Sequence, residues 1–197
     1  MRRNREKLRR VDARSVFGIG GTGLSSVMGA VAVGAAQVVA VDRRQSRLER
    51  ADGLGATALV PWQGEPESVA AAVIEASGGG VDYAIETTGR PASMRAAFLS
   101  TRKRGAAVMA GIPRADVELT VPALSIPRME RRVLGSIYGS ARPDRDFPLI
   151  LDAYRRGRLP LERLISHRFP LAQVETAVDA VRSGEATRVV LSLGDGA

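Results

Sequence analysis

The chain has 197 residues, of which 45% are hydrophobic and 25% charged, as in an ordinary soluble globular protein. That length suits one domain, or one domain with a small appendage. No apolar run approaches the roughly 20 residues of a membrane helix, and no apolar segment follows the basic N-terminus as in a secretory signal. The sequence has no cysteine, which excludes disulfides and thiolate zinc sites, and we expect a cytoplasmic location with no membrane partner.

The formal net charge is +8, and 27 of the 29 basic residues are arginine. Much of the excess lies in the first ten residues, which hold six basic residues and one acidic residue. We interpret residues 1–14 as a basic, disordered leader. The alternative is an arm that binds nucleic acid, but no aromatic residue is interleaved with the charges, so a nucleic-acid partner is not expected.

From residue 15 to about residue 140, short apolar runs alternate with helical patterns. The predicted strands are one ending at Val16–Phe17, then Gln37–Asp42, Ala58–Val60, Val81–Glu86, Ala106–Ala110 and Val133–Ile137. The predicted helices are Leu24–Val33, Gln45–Gly53, Glu65–Ser77 and Pro91–Ser100. This alternation is typical of an α/β protein with a doubly wound parallel sheet, the Rossmann fold.

The pattern changes after Gly139. Phe147–Arg156 and Gln173–Ser183 have the periodicity of amphipathic helices, and Val189–Leu193 reads as a last strand. We therefore predict a dinucleotide-binding domain over residues 15–140 and a C-terminal helical and strand appendage over residues 141–197.

A glycine-rich turn follows the first predicted strand. Gly18, Gly20 and Gly23 match the pattern G-x-G-x-x-G, with Gly21 and Thr22 between them. The first glycine permits a tight turn, the second lets the backbone approach a pyrophosphate, and the third lets the helix pack on the sheet. The helix N-terminus then offers free N–H groups and a positive dipole to phosphates.

The second predicted strand ends in Asp42, 19 residues after Gly23, which is near the spacing of about 20 expected for a ribose-binding acid. A carboxylate there accepts hydrogen bonds from the ribose hydroxyls and repels a 2′-phosphate. The sequence therefore predicts NAD(H) as the cofactor, in preference to NADP(H). Arg43 and Arg44 follow directly and could soften that preference.

Several spaced motifs resemble the coenzyme domain of medium-chain, zinc-dependent alcohol dehydrogenases. They are VFGIGGTGL at 16–24, VD at 41–42, RLE at 47–49, LGAT at 54–57, ETTG at 86–89, GIP at 111–113, GSIYG at 135–139, LISH at 164–167 and SGE at 183–185. The resemblance extends over about residues 15–193 and lacks the N-terminal catalytic domain of the family.

The resemblance implies further cofactor-binding roles. Arg47 would lie beside the ribose with Asp42 and Arg43. Thr88 and Arg90 would border the adenine, and Arg188 would reach the pyrophosphate. At the other end of the cofactor, Ala110 and Ile112 would lie along the nicotinamide and Tyr138 would approach its carboxamide. A guanidinium suits a diphosphate on chemical grounds as well. We also expect Trp62, which follows the third strand, to lie near the adenine.

Catalytic residues are not expected in this chain. A catalytic zinc needs about three protein ligands, whereas the sequence has no cysteine and one histidine, His167. His167 lies at an ordinary structural position of the family, and no Tyr-x-x-x-Lys arrangement is present. We therefore expect no zinc and no catalytic residue here.

Three functions are left open at this point. The first is the NAD(H)-binding part of a zinc-type alcohol dehydrogenase, inactive alone and completed by a separate catalytic domain. The second is a non-enzymatic NAD(H)-binding or redox-responsive partner protein. The third, least favoured, is a nucleic-acid-associated protein. By resemblance, a homodimer through the sheet edge at Val133–Ile137 is also expected.

Overall fold

The computed structural model describes residues 12–184 and 186–194. The leader expected at residues 1–14 therefore lies mostly outside the described residues. The first strand starts at Ala13, two residues before residue 15, where the sequence placed the beginning of the dinucleotide-binding domain. The Ala13 N–H donates a hydrogen bond of 3.1 Å to the Asp82 carboxylate, which ties this end of the strand to its neighbour in the sheet.

Six parallel strands form the main sheet, in the order β3-β2-β1-β4-β5-β6. Their bounds are β1 Ala13–Phe17, β2 Gln37–Asp42, β3 Ala58–Pro61, β4 Val81–Glu86, β5 Thr101–Met109 and β6 Arg132–Gly135. The first five helices are α1 Gly21–Ala32, α2 Gln45–Gly53, α3 Pro66–Ala76, α4 Pro91–Ser100 and α5 Ser125–Met129. The order reverses between β1 and β4, so the predicted doubly wound Rossmann fold is confirmed.

Two apolar cores cover the two faces of this sheet. On one face α1 and α2 pack through side chains such as Leu24 and Leu48, and on the other α3 and α4 pack through Val73 and Ala97. All of these side chains are almost completely buried. Strand β2 is buried along almost its whole length because the centre of a parallel sheet is covered on both sides.

Several element boundaries differ from those predicted. Helix α1 begins at Gly21 rather than Leu24, because the glycine turn itself supplies the first turn of the helix. Strand β5 begins at Thr101 rather than Ala106, and its first half contains a register shift with Arg104 in the left-handed region. Strand β6 ends at Gly135, before Ile137. Helix α5 had no counterpart among the predicted elements.

The C-terminal part forms the predicted appendage, with one strand that was not expected. Helices α6 (Pro143–Arg155) and α7 (Val174–Arg182) accompany a two-stranded parallel sheet of β7 (His167–Pro170) and β8 (Val189–Ser192). Leu164, from the turn before β7, is buried in the core beside α1 and α2, so the appendage is joined to the main domain by apolar packing. Among the described helices, none has the length and apolar character needed to span a bilayer.

Helix α6 has no buried side chain, although it is amphipathic. Its apolar residues Phe147, Ile150 and Leu151 are 57%, 43% and 48% exposed, and Tyr154 is 36% exposed. These side chains therefore form an apolar surface that the described residues leave partly exposed, of the kind that packs against a further partner.

A buried carboxyl group shapes the loop after β4. Glu86 is completely buried, and its Oε1 accepts hydrogen bonds from the Thr88 N–H, the Thr88 hydroxyl and the Ser93 hydroxyl at 2.7, 2.5 and 2.7 Å. Its Oε2 accepts the Gly89 N–H at 3.0 Å. These four donors fix residues 87–89 in one conformation at the carboxyl end of β4.

Replacing Glu86 by glutamine should destabilise the protein. The glutamine amide keeps one acceptor oxygen, but its NH₂ group replaces the second oxygen and faces a group that also donates. A buried polar group left unsatisfied in this way lowers the unfolding free energy by about 1–3 kcal/mol. Denaturant unfolding would measure the change. Glu67→Gln is a matched control on the surface, where little change is expected. An unfolding free energy for Glu86→Gln equal to that of the control would contradict this interpretation.

Candidate functional site: a cleft at the switch point of the sheet

A cleft of about 620 Å³ opens at the carboxyl ends of β1, β2 and β4, where the strand order reverses. Ligands of doubly wound sheets bind at such a switch point. The residues that line the cleft are Gly18, Gly20, Gly21, Thr22, Val41, Asp42, Arg43, Arg44, Arg47, Trp62, Thr87, Thr88, Arg90, Ala92, Ser93, Val181, Arg182 and Gly184. Nine of the predicted site residues are among them, and so is Trp62.

The glycine turn has the geometry that its sequence pattern predicts. Gly18 has a φ of +88°, and a Cβ on Gly23 would lie 1.9 Å from the Gly18 carbonyl oxygen, so neither position accepts a side chain. Gly20 is different, because no atom lies within 4 Å of where its Cβ would be. Packing within the protein therefore does not require glycine at position 20, and this glycine keeps a space open above the turn.

The N-terminus of α1 faces this open space. The first helical hydrogen bond runs from the Leu24 N–H to the Gly20 carbonyl, at 2.8 Å. The N–H groups of Gly21 and Thr22 precede that bond and have no helical acceptor. Together with the helix dipole, they make this turn a suitable place for an anion.

Asp42 connects the end of β2 to the glycine turn. Its Oδ2 accepts the Ile19 N–H at 2.7 Å, its Oδ1 accepts the Arg44 N–H at 3.0 Å, and the Arg47 guanidinium lies 3.7 Å from Oδ2. The residue is 8% exposed and lines the cleft, so part of the carboxylate still faces it. Asp42 thus has a structural role in the turn besides its predicted contact with a ribose.

Thr87 was not predicted, although it supports the same turn from β4. Its hydroxyl lies 2.7 Å from the Gly18 carbonyl oxygen and 3.0 Å from that of Phe17, so it can donate to either. A single threonine after a strand does not predict any particular contact from the sequence. Only the pairing of β1 with β4 shows that it reaches the turn.

Arg188 lies beside the glycine turn although it is far along the chain. Its Nη2 is 3.5 Å from the position that a Cβ on Gly21 would occupy, and the Thr187 carbonyl oxygen is 3.4 Å from it. The side chain is exposed, and it makes no hydrogen bond or ion pair with any residue in the described ranges. The pyrophosphate contact of Arg188 that the resemblance implied stays a prediction.

The remaining predicted residues lie away from the cleft lining. Gly23 supports the turn from below. Ala110 follows β5 and donates its N–H to the Glu86 carbonyl at 2.8 Å, and Ile112, two residues on, is 78% exposed. Tyr138 is 92% exposed beyond β6, with a φ of +49°. The nicotinamide contacts of Ala110, Ile112 and Tyr138 therefore stay predictions.

Arginine dominates the charge around the cleft. Arg44 and Arg182 line it in addition to the predicted Arg43, Arg47 and Arg90, whereas Asp42 is the one acidic residue among the lining residues of the described chain. Sequence reasoning missed the contribution of Arg182 because nothing in a surface helix marks an arginine as facing a distant cleft. A lining of this composition favours an anionic ligand.

The described residues do not provide a zinc site. Across residues 12–184 and 186–194, no three His, Cys, Asp or Glu side chains come close enough together to hold a metal ion. The sole histidine, His167, stacks on Phe169 with 5.9 Å between ring centroids, and its Nδ1 lies 3.0 Å from the Ser166 hydroxyl oxygen. A donor set without cysteine and with one histidine does not fit a catalytic zinc.

Comparison with known proteins identifies relatives of this architecture. Alcohol dehydrogenase 2 from Solanum lycopersicum is 31% identical over 92% of this chain and 48% of its own length. An alcohol dehydrogenase zinc-binding domain protein from Burkholderia ambifaria has a crystal structure that is 32% identical over 93% of this chain and 49% of its own, with a TM-score of 0.86. The chain thus spans about half the length of these relatives.

A second similar structure contains a cofactor. It is that of a short chain alcohol dehydrogenase from E. coli CFT073 complexed with NADH, which covers 92% of this chain and 52% of its own. At 22% identity and a TM-score of 0.78, this likeness supports the fold alone.

The family model of zinc-binding dehydrogenases matches residues 21–155. That match begins at the first residue of α1 and ends at the last residue of α6, so it includes the glycine-turn helix, Asp42 and the loop after β4. The chain belongs to the zinc-binding dehydrogenase family and represents its coenzyme-binding part.

Proposed function

We propose that the cleft binds NAD(H), and that the chain is the dinucleotide-binding part of a zinc-type alcohol dehydrogenase. The observation that carries the proposal is the open space over Gly20, at the N-terminus of α1 and beside the Arg188 guanidinium, whose Nη2 lies 3.5 Å from the position of a Cβ on Gly21. A diphosphate in that space would accept the free N–H groups of the helix and pair with the guanidinium.

The rest of the dinucleotide would extend to either side of that diphosphate. On the adenosine side, Asp42, Arg43 and Arg47 would lie around the ribose, while Thr88, Arg90 and Trp62 would surround the adenine. On the other side, the nicotinamide would extend towards Ala110, Ile112 and Tyr138. When bound, this cofactor supplies the hydride acceptor or donor, and the residues of this chain bind and orient it.

NAD(H) is favoured over NADP(H) because a phosphate on the 2′-hydroxyl would approach the Asp42 carboxylate. The arginines at 43 and 44 weaken this discrimination, because they place positive charge next to the same position. We therefore propose a preference for NAD(H) rather than complete exclusion of NADP(H).

Titration with NADH should change the fluorescence emission of Trp62, the only tryptophan of the chain, because it lines the cleft.

Gly20→Ala should leave the fold intact but weaken NADH binding roughly tenfold or more, since the alanine Cβ would occupy the space that a diphosphate needs. Fluorescence titration or calorimetry measures the affinity, and thermal unfolding measures the stability.

Gly29→Ala is the matched control for this experiment. It lies in the same helix, and its Cβ would also have no atom within 4 Å, but it does not line the cleft. Its affinity for NADH should equal that of the unchanged protein, with a slight gain in stability because glycine is unfavourable inside helices. NADH binding that is unaffected by Gly20→Ala, or that is absent from the well-folded protein, would contradict the proposed site.

Catalysis requires groups that this chain does not contain, so we propose that it depends on a separate catalytic domain. Alone, with zinc, an alcohol and NAD, the chain should produce no NADH. Mixed with or joined to a catalytic domain of the family that carries zinc ligands, it should produce NADH, which absorbance at the reduced nicotinamide band would follow. Turnover by the chain alone would contradict this proposal.

A second candidate is a non-enzymatic NAD(H)-binding or redox-responsive partner protein. The observation in its favour is that the donor set of the chain does not fit a catalytic zinc. It would be supported if NADH bound tightly and no catalytic domain of the family restored alcohol oxidation. A cytoplasmic location is part of either proposal.

A homodimer through the outer edge of the main sheet is also proposed. Strand β6 lies at that edge, and its residues Val133 and Leu134 are 44% and 41% exposed. An edge strand has unpaired N–H and C=O groups that a second copy can pair. Val133→Lys should shift the protein from dimer to monomer in analytical ultracentrifugation, since a lysine at an edge strand disfavours such pairing. A monomeric unchanged protein would refute the dimer.

A further inference from the structure

Three arginines, Arg44 at the N-cap of α2 and Arg47 and Arg50 within it, contact the C-terminal segment made of Gly184 and residues 186–188, which we name the strap. The Arg44 side chain is packed against Gly184, where a Cβ would lie 2.6 Å from its Nη1. Arg47 Nη2 donates to the Gly184 carbonyl at 3.2 Å, and Arg50 Nη1 donates to the Thr187 hydroxyl at 2.7 Å. The strap is thereby fastened to the helix that follows Asp42.

Ser166 holds the strap from the opposite side. Its hydroxyl oxygen accepts the N–H groups of Thr187 and Arg188 at 3.0 and 3.2 Å, and its own backbone N–H donates to the Arg188 carbonyl at 2.8 Å. Thr187 is therefore fixed both through its backbone and through its side chain. The consequence is that the next residue, Arg188, starts from a fixed backbone position beside the glycine turn.

Arg50 differs from Arg44 and Arg47 in one respect. Arg44 and Arg47 line the cleft, whereas Arg50 does not, and among the described residues of the strap its side chain bonds Thr187. The contact with Thr187 is therefore the structural route by which Arg50 can set the position of Arg188. A guanidinium that is held in place in advance loses less conformational entropy when it binds a phosphate.

We propose that Arg50 is a positioning residue for the diphosphate, which it affects by holding Thr187 so that Arg188 lies over the N-terminus of α1. The proposal rests on the proposed function, since it needs a dinucleotide in the cleft. It also makes the diphosphate site complete within this chain, because α2, the strap and the glycine turn all belong to it.

The test compares ligands with and without a diphosphate. Calorimetry would measure the affinities of ADP-ribose and of adenosine for the unchanged protein, Arg50→Met, Thr187→Val, Arg188→Met and the double variant of Arg50 and Arg188. Arg50→Met and Thr187→Val should each weaken ADP-ribose binding by roughly fivefold to tenfold, the range of coupling between contacting groups. Adenosine binding should change less than about twofold, because adenosine has no phosphate for Arg188 to bind.

The double variant decides whether Arg50 acts through Arg188. Once Arg188 is methionine, Arg50→Met should weaken ADP-ribose binding by less than about twofold, since no guanidinium remains to be positioned. Arg95→Met is the matched control, because Arg95 likewise donates from a helix to a threonine distant in sequence, at the Thr120 carbonyl, but lies on α4 away from the strap. It should leave both affinities unchanged.

Two results would overturn the proposal. One is an equal loss of adenosine and ADP-ribose affinity in Arg50→Met, which would mean a general disturbance of the fold. The other is an Arg50→Met variant that weakens ADP-ribose binding as much in the Arg188→Met background as in the unchanged protein, which would mean that Arg50 acts independently of Arg188. If the unchanged protein bound neither ADP-ribose nor NADH, the proposed function itself would fail, and that outcome is distinct from both.

Discussion

The hydrogen bond between the Asp42 carboxylate and the Ile19 N–H is the interaction on which the site depends. At 2.7 Å and buried, it joins the end of β2 to the turn that leaves β1. The same carboxylate accepts the Arg44 N–H and so sets the start of α2. One acidic side chain therefore fixes the position of the glycine turn relative to the helix that carries Arg47 and Arg50.

A second carboxyl group organises the other wall of the cleft. Glu86, at the end of β4, is surrounded by four donors and holds the loop that contains Thr88. Thr87 in that loop reaches back to Gly18, so the two walls meet at the glycine turn. The cleft is thus defined by carboxyl groups at the ends of two strands, and side chains with guanidinium groups cover its outer part.

The coenzyme-binding part of the family is well formed in this chain, while other surfaces have no partner among the described residues. The cores on both faces of the sheet are closed and apolar, whereas α6 and β6 expose apolar side chains. Burial of those side chains would contribute favourable free energy to an association. The same chain therefore contains a cleft at the switch point of its sheet and surfaces suited to further subunits or domains.

The sequence by itself determined the alternating fold, the glycine turn and Asp42, because these depend on local periodicity and on spacing along the chain. The start of β5 and the strand β7 were missed, since the polar Arg102–Arg104 segment and the short His167–Pro170 segment have no clear strand pattern. Only the tertiary structure brought Thr87 to Gly18 and Arg50 to Thr187, a pair separated by 137 residues. Such contacts follow from the packing of elements distant in sequence, which no local pattern encodes.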